Sequence, residues 1–440
     1  MEKQLTKVVK FGGSSLANAE QFRKVADIIL AEPERRFVVP SAPGKRFSGD
    51  TKVTDMLYGC YGIAEMGGEF QLVFDKICER YREIICGLGM NYSLEEEFSR
   101  IREDFVEKKG RDYAASRGEY LNGKILATYL GFDFIDPAGF IRFDENGRFD
   151  GEKTDALLSE ELKKHEKAVI PGFFGATDAG RIVTFSRGGS DITGSIVARA
   201  ARADVYENWT DVSGFLMADP RVVSNPKPIK TITYRELREL SYMGATVLHE
   251  DAIFPVRIAG IPIIIKNTND PKAEGTSIVP TAEGQSGSVI TGIAGRKGFC
   301  VITIEKDMMN SELGVGRRLL GVLEENGVLM EHLPSGIDTM SVVVTEKELE
   351  GKKDKVIEEI CTAVNPDSIS VENGVALLAV VGRGMVNAVG TAARIFDAIA
   401  REKVNIRMID QGSSELNIIV GVKEEDLEKA IGAIYHEFEK

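Results

Sequence analysis

Segment 309–344 of this 440-residue chain overlays segment 385–420 without a gap, at an offset of 76 (385 − 309). Met309 meets Met385, Gly314 meets Gly390, Arg318 meets Arg394 and Gly336 meets Gly412. Val342-Val343-Val344 falls on Ile418-Ile419-Val420. An ungapped register of that length restricts the C-terminal third to two copies of one supersecondary unit. The shared pattern is loop, amphipathic helix, strand, turn, strand. With its flanking elements it predicts two ferredoxin-like βαββαβ units, against the alternative of chance likeness between two α+β pieces. Gly284-Gln285-Ser286-Gly287-Ser288, ahead of the repeat, reads as a linker.

The rest of the chain follows a different rhythm. Lys7-Val8-Val9-Lys10-Phe11 is short and β-leaning, Gly12-Gly13-Ser14-Ser15 turns, and Gln21 to Leu30 puts Phe22, Val25, Ile28 and Ile29 on one helical face. Phe37-Val38-Val39-Pro40 is the next buried strand. Strand–helix–strand order predicts an α/β domain over 1–285 with a mostly parallel sheet sandwiched by helices. From Gly44 to Asp136 there is no proline, and helical periodicity predicts an excursion from about 52 to 130. Strands resume at Phe134-Ile135-Asp136, Ala168 to Pro171, Asp204-Val205-Tyr206 and Pro262 to Lys266.

Charge and composition exclude several partners. Lys and Arg number 55 against 68 Asp and Glu, a formal net charge of −13, which disfavours nucleic acid and anionic membrane. A local basic pocket can still hold an anionic small molecule. No apolar run reaches the ~18 residues a membrane helix needs. The start, Met1 to Lys7, then Val8-Val9 broken by Lys10, is no signal peptide, so a cytoplasmic protein is expected. Five scattered cysteines fit a reducing compartment, and the four histidines have no zinc spacing, so no protein-ligated metal is expected.

Four motifs carry possible chemistry. Lys10-Phe11-Gly12-Gly13-Ser14-Ser15 makes an anion nest at a helix start, though a tight βα turn uses the same residues. Its lysine precedes the glycines, so it is neither a Walker A loop nor GxGxxG. Phe185-Ser186-Arg187-Gly188-Gly189-Ser190-Asp191 is a second glycine turn, before a helix expected from about Ile192 to Arg202. Arg187 offers a fork for carboxylate or phosphate, and Asp191 either caps the helix or orients Lys10 or a metal-bound phosphate. Trp209-Thr210-Asp211-Val212-Ser213-Gly214 leading to Asp219-Pro220-Arg221 suits nucleotide contacts or a solvated loop. Lys266-Asn267-Thr268 ends an apolar strand, where a cation would favour phosphate or merely cap the strand. Glu119, in Arg117-Gly118-Glu119, is expected to open a helix, and Ser41 to follow a buried strand.

In order and spacing these motifs resemble the aspartokinase branch of the amino-acid kinase family. The likeness covers nearly the whole chain: Val9 to Ser15, Val38 to Ala42, Arg117-Gly118-Glu119, Gly172-Phe173, Gly188 to Asp191, Trp209 to Val212, Asp219-Pro220-Arg221, Lys266, and a tail that is similar to paired ACT domains. By that resemblance the first ACT unit is 299–368 and the second is 289–297 plus 369–440. Gln411 to Glu415 and Pro334 to Asp338 are segments typical of such tails.

The resemblance implies an ATP-dependent kinase that phosphorylates the β-carboxylate of L-aspartate, the first step toward lysine, threonine and methionine. Lys10 would stabilise the transferring phosphoryl group, with Gly12, Gly13 and Ser14 on the phosphates and Asp191 organising the lysines. Arg187 would grip a carboxylate of aspartate, Glu119 its α-ammonium, and Ser41, Thr54, Phe173 and Ser190 would help. Thr210, Asp211, Leu216, Arg221 and Lys266 would serve the nucleotide, although many relatives have an aromatic where this chain has Leu216. Mg²⁺ is expected with ATP, held mainly by phosphate oxygens. The resemblance further implies a homo-oligomer joined through ACT units, an effector site at Met309, Met330, Glu331 and Asp338, and lysine as the favoured inhibitor with threonine second. The methionines could equally be core and the acids solvated. No fused dehydrogenase is expected beyond Lys440. A kinase acting on glutamate and a non-catalytic amino-acid sensor are the alternatives.

Overall fold

The computed structural model describes residues 5–186, 188–245, 248, 250–282 and 288–439, with backbone alone at Glu250 and Asp251. These fall into two compact units, one of 1–215, 228–234 and 247–282, the other of 216–227, 235–246 and 283–440.

The first unit is built on an eight-stranded sheet. Its strands are β1 (Lys7–Phe11), β2 (Arg35–Pro40), β3 (Asp133–Phe134) and β4 (Ala168–Val169), then β7 (Val205–Thr210), β8 (Thr231–Thr233), β9 (Ile263–Asn267) and β10 (Thr276–Val279). A separate hairpin pairs β5 (Phe174–Ala176) with β6 (Ile182–Thr184). The sheet order is β3-β4-β2-β1-β7-β9-β10-β8, and only the β9–β10 pair is antiparallel. Helices α1 (Ala19–Leu30), α2 (Val53–Glu65), α3 (Gln71–Gly87), α4 (Glu95–Val106) and α5 (Arg111–Leu130) build one large core. Val9, Phe11 and Trp209 reach that core from one sheet face. The other face carries Lys10 and Asn208 toward α7 (Gly189–Ala200). Helices α6 (Gly151–Leu162) and α9 (Phe254–Ala259) complete the unit. The expected mostly parallel, helix-sandwiched sheet is present.

Two neighbouring strands buried on both faces explain why the apolar runs read clearly: Val8, Val9, Val38 and Val39 are all fully buried. On the α1 side the sheet also encloses a charged cluster. Arg35 is 2.9 Å from Glu207, which accepts the Trp209 indole N–H at 2.9 Å, and Lys7 lies 3.4 Å from the same carboxylate.

The second unit holds an antiparallel sheet in the order β12-β11-β13-β15-β14. Its strands are β11 (Gly292–Glu305), β12 (Thr339–Thr345), β13 (Ser368–Val381), β14 (Met408–Asp410) and β15 (Asn417–Lys423). Helix α8 (Tyr234–Tyr242) precedes them. The others are α10 (Val315–Glu325), the short α11 (Glu346–Leu349), α12 (Lys353–Val364), α13 (Thr391–Arg401) and α14 (Leu427–Phe438). The repeat is visible in three dimensions: α10 and α13 begin 76 residues apart (391 − 315), behind Gly314 at φ +81° and Gly390 at φ +87°. Strands β11 and β13 have 14 residues each. Gly292–Arg296 of β11 pairs with the C-terminal half of β13, which also pairs with β15; the stretch from Phe299 on pairs with β12 and the N-terminal half of β13. Glu236, fully buried on α8, accepts from the Thr291 hydroxyl at 2.6 Å and from Arg383 at 2.9 Å.

Candidate active site

Parallel pairing brings the motif-bearing strand ends to one edge. Phe11 is level with Pro40 on one side and Trp209 on the other, and Trp209 is level with Lys266. The chain leaves β1 for β2 on one flank and later returns as β7 on the other. β1 is therefore a switch point, where open α/β sheets leave a crevice at their carboxyl ends.

The first glycine turn sits on that crevice. The Gly12 N–H donates to the Trp209 carbonyl at 3.0 Å and the Gly44 N–H to the Gly13 carbonyl at 2.8 Å. A Cβ on Gly13 would stand 2.8 Å from the Ala42 carbonyl oxygen, and one on Gly44 would stand 2.5 Å from the Gly13 carbonyl carbon. The two loops thus touch backbone to backbone, an approach only glycine allows. Ser14 is exposed at the turn, and Ser15 behind it shares a 2.8 Å hydrogen bond with the Thr268 hydroxyl. Lys10 lies beneath, buried, its ammonium 2.5 Å from Oδ1 of Asp191. A Cβ at Gly12 would be 3.8 Å from that ammonium. Asn208 Nδ2 donates to the same Oδ1 at 2.7 Å and fixes the carboxylate from the side.

Asp191 is not an N-cap. Helix α7 starts at Gly189, three residues before the expected Ile192 (192 − 189), because Gly188 takes a left-handed φ of +59° and turns the chain there. Ser190 and Asp191 therefore occupy the first helical turn. The Gly172-Phe173 turn packs on this start. A Cβ on Gly172 would be 2.7 Å from Ser190 Oγ. Phe173 has φ +84°, held by its N–H to Thr193 Oγ1 at 2.9 Å and its carbonyl from the Phe185 N–H at 2.9 Å. A bulky residue kept in that region is a feature of ligand clamps.

Glu119 does not open a helix, because α5 begins eight residues earlier, at Arg111 (119 − 111). It lies mid-helix and is 5% exposed. Its Oε2 has no hydrogen-bond partner among the described residues. Burial pushes its carboxyl up to about 8, while the backbone of Ala42 and the Arg117 guanidinium pull the other way. A Cβ on the adjacent Gly118 would be 2.8 Å from Ala42 Cβ and 3.8 Å from Thr54 Oγ1, so α5, α2 and the loop after β2 converge there. Ser41 donates its N–H to the Phe11 carbonyl at 3.1 Å, and its carbonyl accepts from Asn122 at 2.7 Å.

Not every expected residue joins this group. Arg187 lies outside the described residues. Thr210 donates to Asp211 at 3.2 Å at the end of β7. Lys266 points to the sheet face opposite Lys10: strand neighbours alternate, and its ammonium is 5.5 Å from the Trp209 ring centroid. Leu216 and Arg221 belong to the 216–227 stretch of the second unit, where Arg221 makes a forked pair with Asp219 at 2.5 and 3.0 Å. Of the expected effector residues, Met309 is 5% exposed inside the hydrophobic core of the α10–α12 half, so it packs rather than faces a ligand. Met330 is 40% exposed and Asp338 exposed, while Glu331 accepts from the Tyr242 hydroxyl and lies 3.4 Å from Arg296. Asn208, Gly44 and Thr193 were missed. Only Asn208 had a signal, as a neutral polar residue within the strand that Asp204-Val205-Tyr206 opens.

Residues 6–267 match the amino acid kinase family and residues 378–438 match the ACT domain. The chain is 42% identical to aspartokinase 3 of Bacillus subtilis, with 98% of each covered. Its structure is similar to the aspartate kinase of Clostridium acetobutylicum, at 52% identity, TM-score 0.91 and 99% of each chain. It is also similar to E. coli aspartokinase III in complex with aspartate and ADP, at 26% identity, TM-score 0.75, 99% of this chain and 100% of that one. The lysine and aspartate complex of the latter gives 26% identity and TM-score 0.73 over 99% and 100%.

Proposed function

Because this chain belongs to the amino acid kinase family and, within it, to the aspartokinases, we propose that it transfers the γ-phosphoryl group of ATP to the β-carboxylate of L-aspartate. The products are 4-phospho-L-aspartate and ADP, opening the route to lysine, threonine and methionine. The observation that carries this is the Lys10 ammonium, held at 2.5 Å by Asp191 beside Gly12, where the parallel strands end. A carboxylate nucleophile is already ionised at neutral pH, so the site needs no strong base. It needs charge neutralisation and in-line placement.

In this reading the Gly12-Gly13 amides and Lys10 take the phosphates, and Thr210 and Asp211 lie toward the nucleotide. Glu119 receives the ammonium of aspartate, its Oε2, without a hydrogen-bond partner among the described residues, being the atom that asks for one. Ser41, Thr54, Phe173, Ser190 and Arg187 hold the rest of the substrate. Mg²⁺ fits as an ion carried by the phosphates, since Oδ1 of Asp191, the carboxylate beside Lys10, is engaged by Lys10 and Asn208. When bound, it would neutralise phosphate charge. The protein's own part is to hold Lys10 and the amides still.

We assign 299–368 to a first ACT unit and 289–297 plus 369–440 to a second, and infer a cytoplasmic homo-oligomer inhibited by lysine, with threonine as second choice. The support is a relative with lysine bound and the exposed Met330 and Asp338 of the proposed first ACT unit. Among the described residues no helix is long and apolar enough to cross a membrane. The test is ATP consumption with L-aspartate or L-glutamate, each with and without lysine or threonine. Turnover with aspartate that lysine suppresses is expected. Equal turnover with glutamate, or amino-acid binding without turnover, would overturn the assignment.

A further inference from the structure

Two buried ionisable side chains on α5 have no oppositely charged partner in an ion pair among the described residues. The Arg117 guanidinium is 4% exposed and enclosed by three rings, 4.5 Å from the Tyr113 centroid, 4.4 Å from Tyr120 and 5.3 Å from Phe174. Its hydrogen bonds go to the Ser116 hydroxyl, at 3.2 and 3.0 Å, and among the described residues no carboxylate pairs with it. Two positions on, Glu119 is as deeply buried, with Oε2 lacking a hydrogen-bond partner among the described residues. Among the described residues, the titratable groups whose field reaches Glu119 are Arg117 on its own helix, Tyr81 from α3 and Tyr58 from α2, and the backbone of Ala42 donates to its carboxyl. Both tyrosines are pushed above their ordinary range by burial and stay neutral, so of these groups Arg117 is the one charged at neutral pH.

An ionised carboxylate without a partner in such a place is costly, and protonation is the way out. We propose that Glu119 carries a proton in the empty enzyme and surrenders it to solvent as the substrate's ammonium group docks, with Arg117 as the positioning residue that keeps the ionised form within reach. This rests on the assignment of Glu119 to that ammonium made above. The step balances: the carboxyl O–H bond breaks, its electron pair stays on oxygen, the proton leaves to buffer, and the carboxylate pairs with R–NH₃⁺. Substrate binding is therefore pH-linked through a residue that takes no part in phosphoryl transfer.

Calorimetric titration of L-aspartate into the full-length protein, with a non-hydrolysable ATP analogue present, tests it. Run at neutral pH in buffers of different ionisation enthalpy, it should show about one proton released per aspartate bound. Glu119→Gln should bind more weakly and release none. Buffer-independent heat for the unmodified enzyme, with binding still weakened in Glu119→Gln, overturns the proton release alone. Undiminished affinity in Glu119→Gln overturns the assignment of the ammonium. For Arg117, KM for aspartate should fall as pH rises and then level off. Arg117→Met should move that levelling-off to higher pH with a smaller effect on kcat, and Arg117→Lys should restore it. A pH profile unmoved in Arg117→Met, with only stability lost, overturns the positioning role.

Discussion

Nζ of Lys10 and Oδ1 of Asp191 stand 2.5 Å apart although 181 residues separate them (191 − 10), because β1 and the first turn of α7 meet on the same face of the sheet. Asn208, level with Lys10 on the neighbouring strand, closes the arrangement by donating to the same oxygen. The ammonium is thereby aimed before any ligand arrives. Preorganised charge of this kind acts on the transition state without reorganisation.

Lys10→Ala should lower kcat by a factor on the order of 10²–10³, since it removes one preorganised charge from a secluded site. Its melting temperature should stay near that of the parent. Steady-state kinetics with a thermal melt checks both, and near-native turnover would show that Lys10 is not catalytic.

Asp191→Asn keeps the shape but drops the charge that aims Lys10. Its kcat should fall while KM for aspartate changes less. A variant that raised KM alone would place Asp191 in substrate binding instead.

Gly13→Ala should cripple the site through backbone geometry. Its Cβ would be 2.8 Å from the Ala42 carbonyl, so the loops after β1 and β2 must part. Expected are a large loss of activity and a fall in stability of about 1–3 kcal/mol, as for other overpacked positions. Gly59→Ala, whose Cβ meets nothing within 4 Å, is the control that should retain activity.

Glu119 also predicts a pH dependence of stability. Its folded-state pKa of about 8 lies above the ordinary 4.5, so between those values the folded chain binds the extra proton. Its contribution is most favourable below the ordinary value and is lost as pH rises through the folded one, at about 1.4 kcal/mol for each tenfold difference in proton affinity between folded and unfolded chain. Glu119→Gln should therefore gain melting temperature over the parent progressively from acid to mildly alkaline pH. A constant difference across that range would contradict the buried protonated carboxyl.

In the second unit, Glu236→Ala leaves Arg383 without the buried carboxylate that accepts from it. Losing a hydrogen bond to a charged group costs about 1.5–3 kcal/mol. Chemical denaturation of the variant should show that loss.

Much of the fold was legible because the sheet is buried on both faces and its strands are continuous apolar runs. Val8-Val9, Val38-Val39 and Ile263 to Ile265 announce β1, β2 and β9 on hydrophobicity alone. The β5–β6 hairpin was not read, since its strands are three residues each. Helix α5 was entered too late because it is buried almost all round, from Tyr113 to Gly123, and shows no amphipathic stripe to mark its start. In the site, Lys10 and Asp191 could be paired only as a possibility, because nothing in the chain states which turn α7 will face. Lys266 falls on the sheet face opposite Lys10, which its motif did not announce. Strand alternation turned its side chain to that side of the sheet.

Strands β11 and β13 pair with each other both beside β12, where one copy of the repeat ends, and beside β15, where the other ends, and this makes the two copies indivisible. Neither copy can be excised, exchanged or melted without breaking a ladder the other depends on, so a fragment ending between the copies should not persist as a folded half. A tug on the outer end of one such strand is transmitted along a continuous backbone rather than across a side-chain contact. Two binding faces placed on this shared spine would answer as one.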